Sequence, residues 1–348
     1  MTSATPGPLS RHDGGMTFGV MLPHFGPHAT AERLLRAGTL VERLGFDAVW
    51  VRDHLLWRPH AHEARQSIRF VEPLITLAAL GARTERILLG TAVLIPIRQP
   101  LKLAQELAAL SFLTGDRVVV GVGAGHDRAE LLAGGVDPSR RRQAAIEMIR
   151  ILRLALGEGR VSYAGEVYRI EEAALEPIPA RRVPILFGGP SRIAVDVAVG
   201  EADGYIVGTQ PFLTMDDRLA YLREREAALG RRLALVSVPR VYVDADRARA
   251  RAAVNVAGLV EDGRHHWVRP PSGWWQGFED VEGAVFAGEP LDIVEGVLKL
   301  RERGFDHFVF DVRFQFDRFE AMLELIAERI LPELRPVSAD APKSGGRT

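Results

Sequence analysis

Asp53 and His54 stand where an apolar run stops, in Gly45-Phe46-Asp47-Ala48-Val49-Trp50-Val51-Arg52-Asp53-His54-Leu55-Leu56-Trp57. A carboxylate beside an imidazole can move protons near neutral pH, where histidine titrates unperturbed. The run from Phe46 to Val51 suits a strand covered on both faces, as parallel strands are. The pair then falls at the carboxyl end of that strand, which in an α/β barrel is the rim where chemistry sits. For an isolated Asp-His pair, a polar turn that merely follows a strand is the better explanation. Its meaning depends on what other strands bring to the same rim.

Five other strand ends carry groups of interest. They are Pro23-His24-Phe25-Gly26, Thr91-Ala92-Val93, Gly123-Ala124-Gly125-His126, Gly188-Gly189-Pro190-Ser191 and Asp311-Val312-Arg313. Gly121-Val122-Gly123-Ala124-Gly125 looks like a dinucleotide fingerprint, but His126 stands where that motif needs glycine and a helix follows. Its glycines instead let a flat group lie against backbone, or simply make a tight turn. Gly188-Gly189-Pro190-Ser191 offers free backbone, a hydroxyl and a helix N-terminus, which together suit an anion; an ordinary N-cap is the alternative. His60-Ala61-His62 has the spacing of paired metal ligands and, with Asp311, raises a metal-dependent barrel hydrolase. Those histidines lie in a polar loop rather than at a strand end, so solvated loop histidines are the better account, as for His265-His266. No metal site is expected. Trp57, Trp274 and Trp275 lie in the loops Trp57–Arg69 and Asn255–Glu289, where aromatic residues suit a planar or hydrophobic substrate, or pack the loops down.

The elements that must position these groups follow from periodicity. Strands are expected at Thr17–Pro23, Phe46–Arg52, Arg86–Ile95, Arg117–Val122, Val183–Phe187, Gly204–Val207, Leu233–Val243 and His307–Val312, each followed by a helical pattern. Eight such units in 348 residues predict a (β/α)8 TIM barrel over 16–335 as one domain, with insertions after strands 4 and 7. A doubly wound open sheet is the alternative. The first insertion carries a small hairpin within Glu158–Arg182, and the second spans Asn255–Glu289. Residues 1–15 and 336–348 have the composition of a disordered leader and tail, and Met16 is a candidate start. A formal net charge of -1 argues against nucleic-acid or membrane-surface partners, and zero cysteines exclude disulfides and a thiolate nucleophile. No apolar run is long enough to span a bilayer, which points to a cytoplasmic protein.

These residues resemble the bacterial luciferase-like monooxygenases and their relatives that use the deazaflavin F420. The resemblance covers about Thr17–Arg335, through FGVMLPHFG, GFDAVWVRDHLL, TERILLGTAVLIPIRQPLKLAQELAALSFLTGDRVVVGVGAG, PILFGGPS, EADGYIVG and GFDHFVFDVRF in that order. It implies a barrel with reduced FMN or F420 across its mouth. His54 matches the family's catalytic histidine, with Asp53 and His126 as companions. Ala92-Val93 matches a non-proline cis peptide against the cofactor ring, and Gly188, Gly189 and Ser191 match part of a phosphate cradle. His24, Thr91, Gly123 and Gly125 complete the expected cofactor surface, with Trp57, Trp274 and Trp275 toward substrate. Two departures stand out. His126 occupies the place of a glutamate proton donor found in some F420-dependent relatives, and Ala124 the place of luciferase's phosphate-binding arginine.

The first expectation is therefore an FMN-dependent monooxygenase oxygenating a small organic substrate with O2. The second is an F420-dependent oxidoreductase transferring hydride without oxygen. A flavin-binding barrel without catalysis is the remote alternative. A small-molecule substrate, a separate flavin or F420 reductase and a homodimer are the partners this resemblance allows.

Overall fold

The computed structural model describes residues 8–9, 15–57 and 67–335. In chain order the elements are β1 (Thr17–Met21), α1 (Ala31–Arg43), β2 (Ala48–Val51), α2 (Pro73–Gly81), β3 (Leu88–Thr91), α3 (Pro100–Thr114), β4 (Val118–Gly123), α4 (Arg128–Ala133) and α5 (Arg141–Glu158). They continue with β5 (Arg160–Ala164), β6 (Arg169–Ala174), β7 (Ile185–Gly188), α6 (Arg192–Glu201), β8 (Gly204–Val207), α7 (Phe212–Leu229), β9 (Ala234–Ser237) and β10 (Arg240–Val243). The last are α8 (Arg247–Ala252), α9 (Val256–Gly263), β11 (Val285–Gly288), α10 (Pro290–Glu302), β12 (His307–Phe310), α11 (Phe319–Arg329) and the short α12 (Leu331–Leu334).

Eight strands close in the order β1-β12-β9-β8-β7-β4-β3-β2, all parallel. β1 pairs with both β2 and β12, so the sheet has no edge and the open doubly wound alternative is excluded. The insertions fall after the fourth and seventh barrel strands. β5 and β6 form the antiparallel hairpin of the first. The second departs from the sequence expectation, because Leu233–Val243 is not one strand. It breaks at Pro239, which has no N–H to give a ladder. β9 stays in the barrel, while β10 leaves it to pair with β11.

The barrel floor is organised by Trp50. A Cβ built on Gly19 would lie 2.6 Å from its Nε1, and one on Gly90 2.5 Å from its ring. Those two glycines on the flanking strands leave the room that the indole fills, as close packing demands. The indole N–H donates to His307 Nε2 at 2.9 Å, and His307 Nδ1 lies 2.6 Å from Thr17 Oγ1. Thr17 in turn donates to the carbonyl of Leu9 at 2.7 Å. Leu9 is buried, so part of the stretch expected to be a disordered leader packs under the barrel. Among the described residues no helix is long and apolar enough to cross a membrane.

Candidate active site

Beyond β2 the chain runs extended, so successive side chains point to opposite sides. Arg52 and His54 share one side and Asp53 takes the other. Asp53 therefore does not meet His54, contrary to the pairing expected from their adjacency. Its carboxylate is buried against Arg98, with Nε–Oδ2 at 3.0 Å and Nη2–Oδ1 at 2.8 Å, and accepts from the Ile95 amide at 3.2 Å. Arg98 also reaches Glu72 at 2.8 Å. This network ties the exit of β2 to the segment that leads into α3. Asp53→Asn is expected to cost about 2 kcal/mol of stability, the loss of a charged hydrogen-bond partner, while turnover stays far above that of a His54 variant. Urea unfolding and steady-state rates measured together check this.

His54 is 14% exposed and lies between Trp57, with ring centroids 5.0 Å apart, and Phe70, edge-on at 5.4 Å. Arg52 stacks over Trp57 and Phe25, and its Nη2 lies 3.3 Å from His54 Nε2. On the far side of the ring, Nδ1 lies 3.2 Å from each carboxylate oxygen of Glu130, which is 2% exposed. Burial lowers the His54 pKa; the Glu130 hydrogen bond opposes this, and the Arg52 charge adds to it. For Glu130, burial would favour the neutral acid. The hydrogen bond and charge of His54, with the amides of Leu56 and Leu55, outweigh it and hold the carboxyl below its ordinary range.

The other candidates are distributed as follows. His24 is fully buried, and both its nitrogens are used internally, at 3.0 Å from the Val71 carbonyl and 2.9 Å from the Arg52 amide. Thr91 is also internal, its hydroxyl bridging the N–H and C=O of Gly121 at 2.9 and 3.1 Å. The Ala92-Val93 peptide is cis. A Cβ on Gly123 or Gly188 would strike the Val93 side chain at 2.5 or 2.7 Å. Those glycines thus make room for Val93, not directly for a ligand. Gly125 adopts φ +70, the left-handed turn that glycine favours. His126 is exposed in the same loop, on the side of His266, whose affinity for a proton falls through burial first and then through the neighbouring His265 and Arg218.

Ser191 caps α6 by accepting from the Ala194 amide at 3.2 Å. Its hydroxyl can still donate, and the amides of Arg192 and Ile193 in the first turn have no intrahelical acceptor. Gly189 lets the turn approach Ala194, and Gly208, just past β8, has open space where a side chain would stand. This hydroxyl, these amides and this space fit a phosphate group. Trp57 packs beside His54. Trp275 is buried with Trp267 and Phe278 in a second apolar cluster, and Trp274 is 54% exposed. That cluster lies at the carboxyl-end face, since Trp267 donates to the Thr209 carbonyl at 3.2 Å and Arg218 joins the carbonyls of His266 and Pro190.

Asp311 ends β12 fully buried and is held by Arg313, with Nε 2.9 Å from both oxygens. So clamped, it is no ready metal ligand. His60 and His62 lie outside the described residues, and among the described residues no group of three or more acidic or histidine side chains could hold a metal ion.

Glu130 and Arg52 are the residues that the sequence did not single out. Arg52 has the same strand direction as His54, a two-residue spacing that could have paired them. Glu130 follows the N-cap Asp127, which accepts from the Ala129 and Glu130 amides; in sequence it reads as a helix-start carboxylate.

Comparison with known proteins adds a second line of observation. The family model described as luciferase-like monooxygenase matches residues 16–307. An F420-dependent glucose-6-phosphate dehydrogenase of Nakamurella multipartita is 32% identical over 329 residues, covering 89% of this chain and 94% of the relative. An F420-dependent hydroxymycolic acid dehydrogenase of Mycobacterium tuberculosis is 31% identical over 260 residues, covering 72% of this chain and 68% of the relative. Among solved structures, the monooxygenase RslO1 of Streptomyces bottropensis shares the fold, with TM-score 0.73 and 21% identity over 92% of this chain and 100% of that one.

Proposed function

This chain belongs to the luciferase-like monooxygenase family and is a flavin- or deazaflavin-dependent oxidoreductase; on that premise we propose an F420-dependent dehydrogenase that interconverts an alcohol and a carbonyl compound. The observation that carries this reading is the desolvated imidazole of His54. It is a neutral base at neutral pH, because burial lowers its pKa. Removing hydride from a carbon leaves the proton of its hydroxyl to be taken up, and a positioned base at the rim supplies that need. F420, when bound, supplies the hydride acceptor and donor. The turn at Gly189–Ser191 would hold its phosphate, with the Ala92-Val93 segment beside the ring.

The protein's own part in the reaction is then simple. His54 accepts the hydroxyl proton as the carbonyl forms, and returns it in the reverse direction. Trp57 and Phe70 pack on the imidazole, and this burial keeps it deprotonated. Dehydrogenase relatives matched over most of their length support hydride transfer above the oxygen-using FMN reading that the sequence placed first. The test is to compare dissociation constants for F420 and reduced FMN. F420 reduction is then followed without oxygen against secondary alcohols and glucose 6-phosphate, the substrate in the relatives' names. Binding of F420 with substrate-dependent reduction is expected. Tight binding of reduced FMN with oxygen uptake, and none of F420, would overturn the proposal.

A further inference from the structure

We propose that Glu130 is a positioning residue that fixes which nitrogen of His54 acts as the base, an inference that rests on the role given to His54 above. The geometry determines the tautomer from two sides. A guanidinium can only donate, so Arg52 at 3.3 Å requires a lone pair on Nε2. The proton of the neutral ring is therefore on Nδ1, donated to the Glu130 carboxylate at 3.2 Å. Nε2 is left as the only nitrogen able to accept a substrate proton. The substrate hydroxyl competes with Arg52 for that lone pair.

Glu130 is itself immobilised by the segment it serves. Its Oε1 accepts from the Leu55 amide at 2.7 Å and the Leu56 amide at 3.1 Å. The carboxylate cannot leave Nδ1 without releasing the turn that follows His54. The ring cannot easily turn over either, since Trp57 and Phe70 pack on it. The charged groups bearing on the imidazole are Glu130 from α4 and, from its own segment, Arg52 and Asp53, the last already paired with Arg98. The neutral ring of His24 lies behind the Arg52 amide. Among the described residues Glu130 is thus the carboxylate hydrogen-bonded to the ring, and it stabilises the imidazolium once Nε2 has taken a proton, with the charge of Asp53 a smaller contribution.

Glu130→Gln tests this with little disturbance. The new amide oxygen can still accept from Leu55 and Leu56, while its NH2 turns to Nδ1 and obliges that nitrogen to accept. The proton then moves to Nε2, and the base is blocked. Nitrogen NMR of histidine-labelled protein, without cofactor or substrate, should show the Nδ1–H form of His54 in the wild type and the Nε2–H form in the variant. Turnover should fall about 100-fold, the low end for a misplaced general base. The acid limb of the rate profile should move to lower pH, and F420 affinity should be unchanged. Wild-type protein with the proton on Nε2 would overturn the assignment, whatever the variant does. So would a variant that keeps the Nδ1–H form and the wild-type pH profile and loses only stability, which would make Glu130 a turn anchor. The NMR result stands apart from the cofactor assignment, which fails only if wild-type protein does not reduce F420.

Discussion

His54→Ala is expected to bind its flavin or deazaflavin cofactor as the wild type does and to turn over at least ~100-fold more slowly, the low end of what a positioned acid or base contributes. Neither carboxylate described beside it can take its place. Asp53 faces away into the Arg98 guanidinium, and Glu130 is held back from the His54 Nε2 position because its Oε1 accepts from the amides of Leu55 and Leu56. Those amide bonds persist in the variant, so the rim keeps its shape and the loss is chemical. His54→Gln retains a polar group that cannot carry a proton near neutral pH, and should be nearly as slow. In the wild type, rate should decline on the acid side with a midpoint below the ordinary histidine value, because burial lowers the His54 pKa. Steady-state rates with saturating cofactor, and a separate binding titration, check this. Near wild-type turnover in His54→Ala would make the imidazole structural.

The second large effect is on stability in acid. Burial lowers the pKa of both His24 and His307 to about 3. In each ring one nitrogen accepts a hydrogen bond, from the Arg52 amide in one case and the Trp50 indole in the other. A second ring proton would set two donors face to face. The unfolded chain binds these protons at the ordinary pKa of about 6.5, so it holds more of them than the native state throughout the window from there down to about 3. Stability is therefore fully present above that window and falls as pH drops through it, by about 1.4 kcal/mol per pH unit for each ring. At pH 5 the pair should have removed roughly 4 kcal/mol. Urea unfolding at pH 7 and pH 5 measures it. His307→Gln, which can keep a donor and an acceptor, should flatten the dependence by about half. Equal stability at the two pH values would show that these rings charge freely in the folded state.

The barrel was legible because each of its eight strands is a short apolar run with its own turn, and β1 must meet both β2 and β12 to hide them all. The parting of β9 from β10 was concealed by unbroken hydrophobicity from Leu233 to Val243, although Pro239 marks it. At the rim, adjacency misled. Asp53 and His54 are consecutive in an extended segment, and the alternation that separates them is as much a property of sequence as their types. The partner that His54 does have, Glu130, lies 76 positions on. Only the closure that lays α4 over the exit of β2 joins them. The glycines of β4 and β7 signalled a close approach correctly, but what approaches is Val93. That depends on the path of the chain between β3 and α3, which composition does not encode.

Trp50, wedged between Gly19 and Gly90, divides the protein's indoles into two optical populations. Four of the five tryptophans, Trp57, Trp267, Trp274 and Trp275, belong to the carboxyl-end face or the insertion beside it. Trp50 alone is enclosed in the barrel floor, its N–H committed to His307. Its emission should be blue-shifted and shielded from aqueous quenchers, and should change only when the barrel itself opens. Comparison of the wild type with Trp50→Phe isolates the emission of the barrel floor, and comparison with Trp57→Phe isolates that of the wall beside His54. Ligand binding at the mouth and unfolding of the floor can then be followed separately in one cuvette.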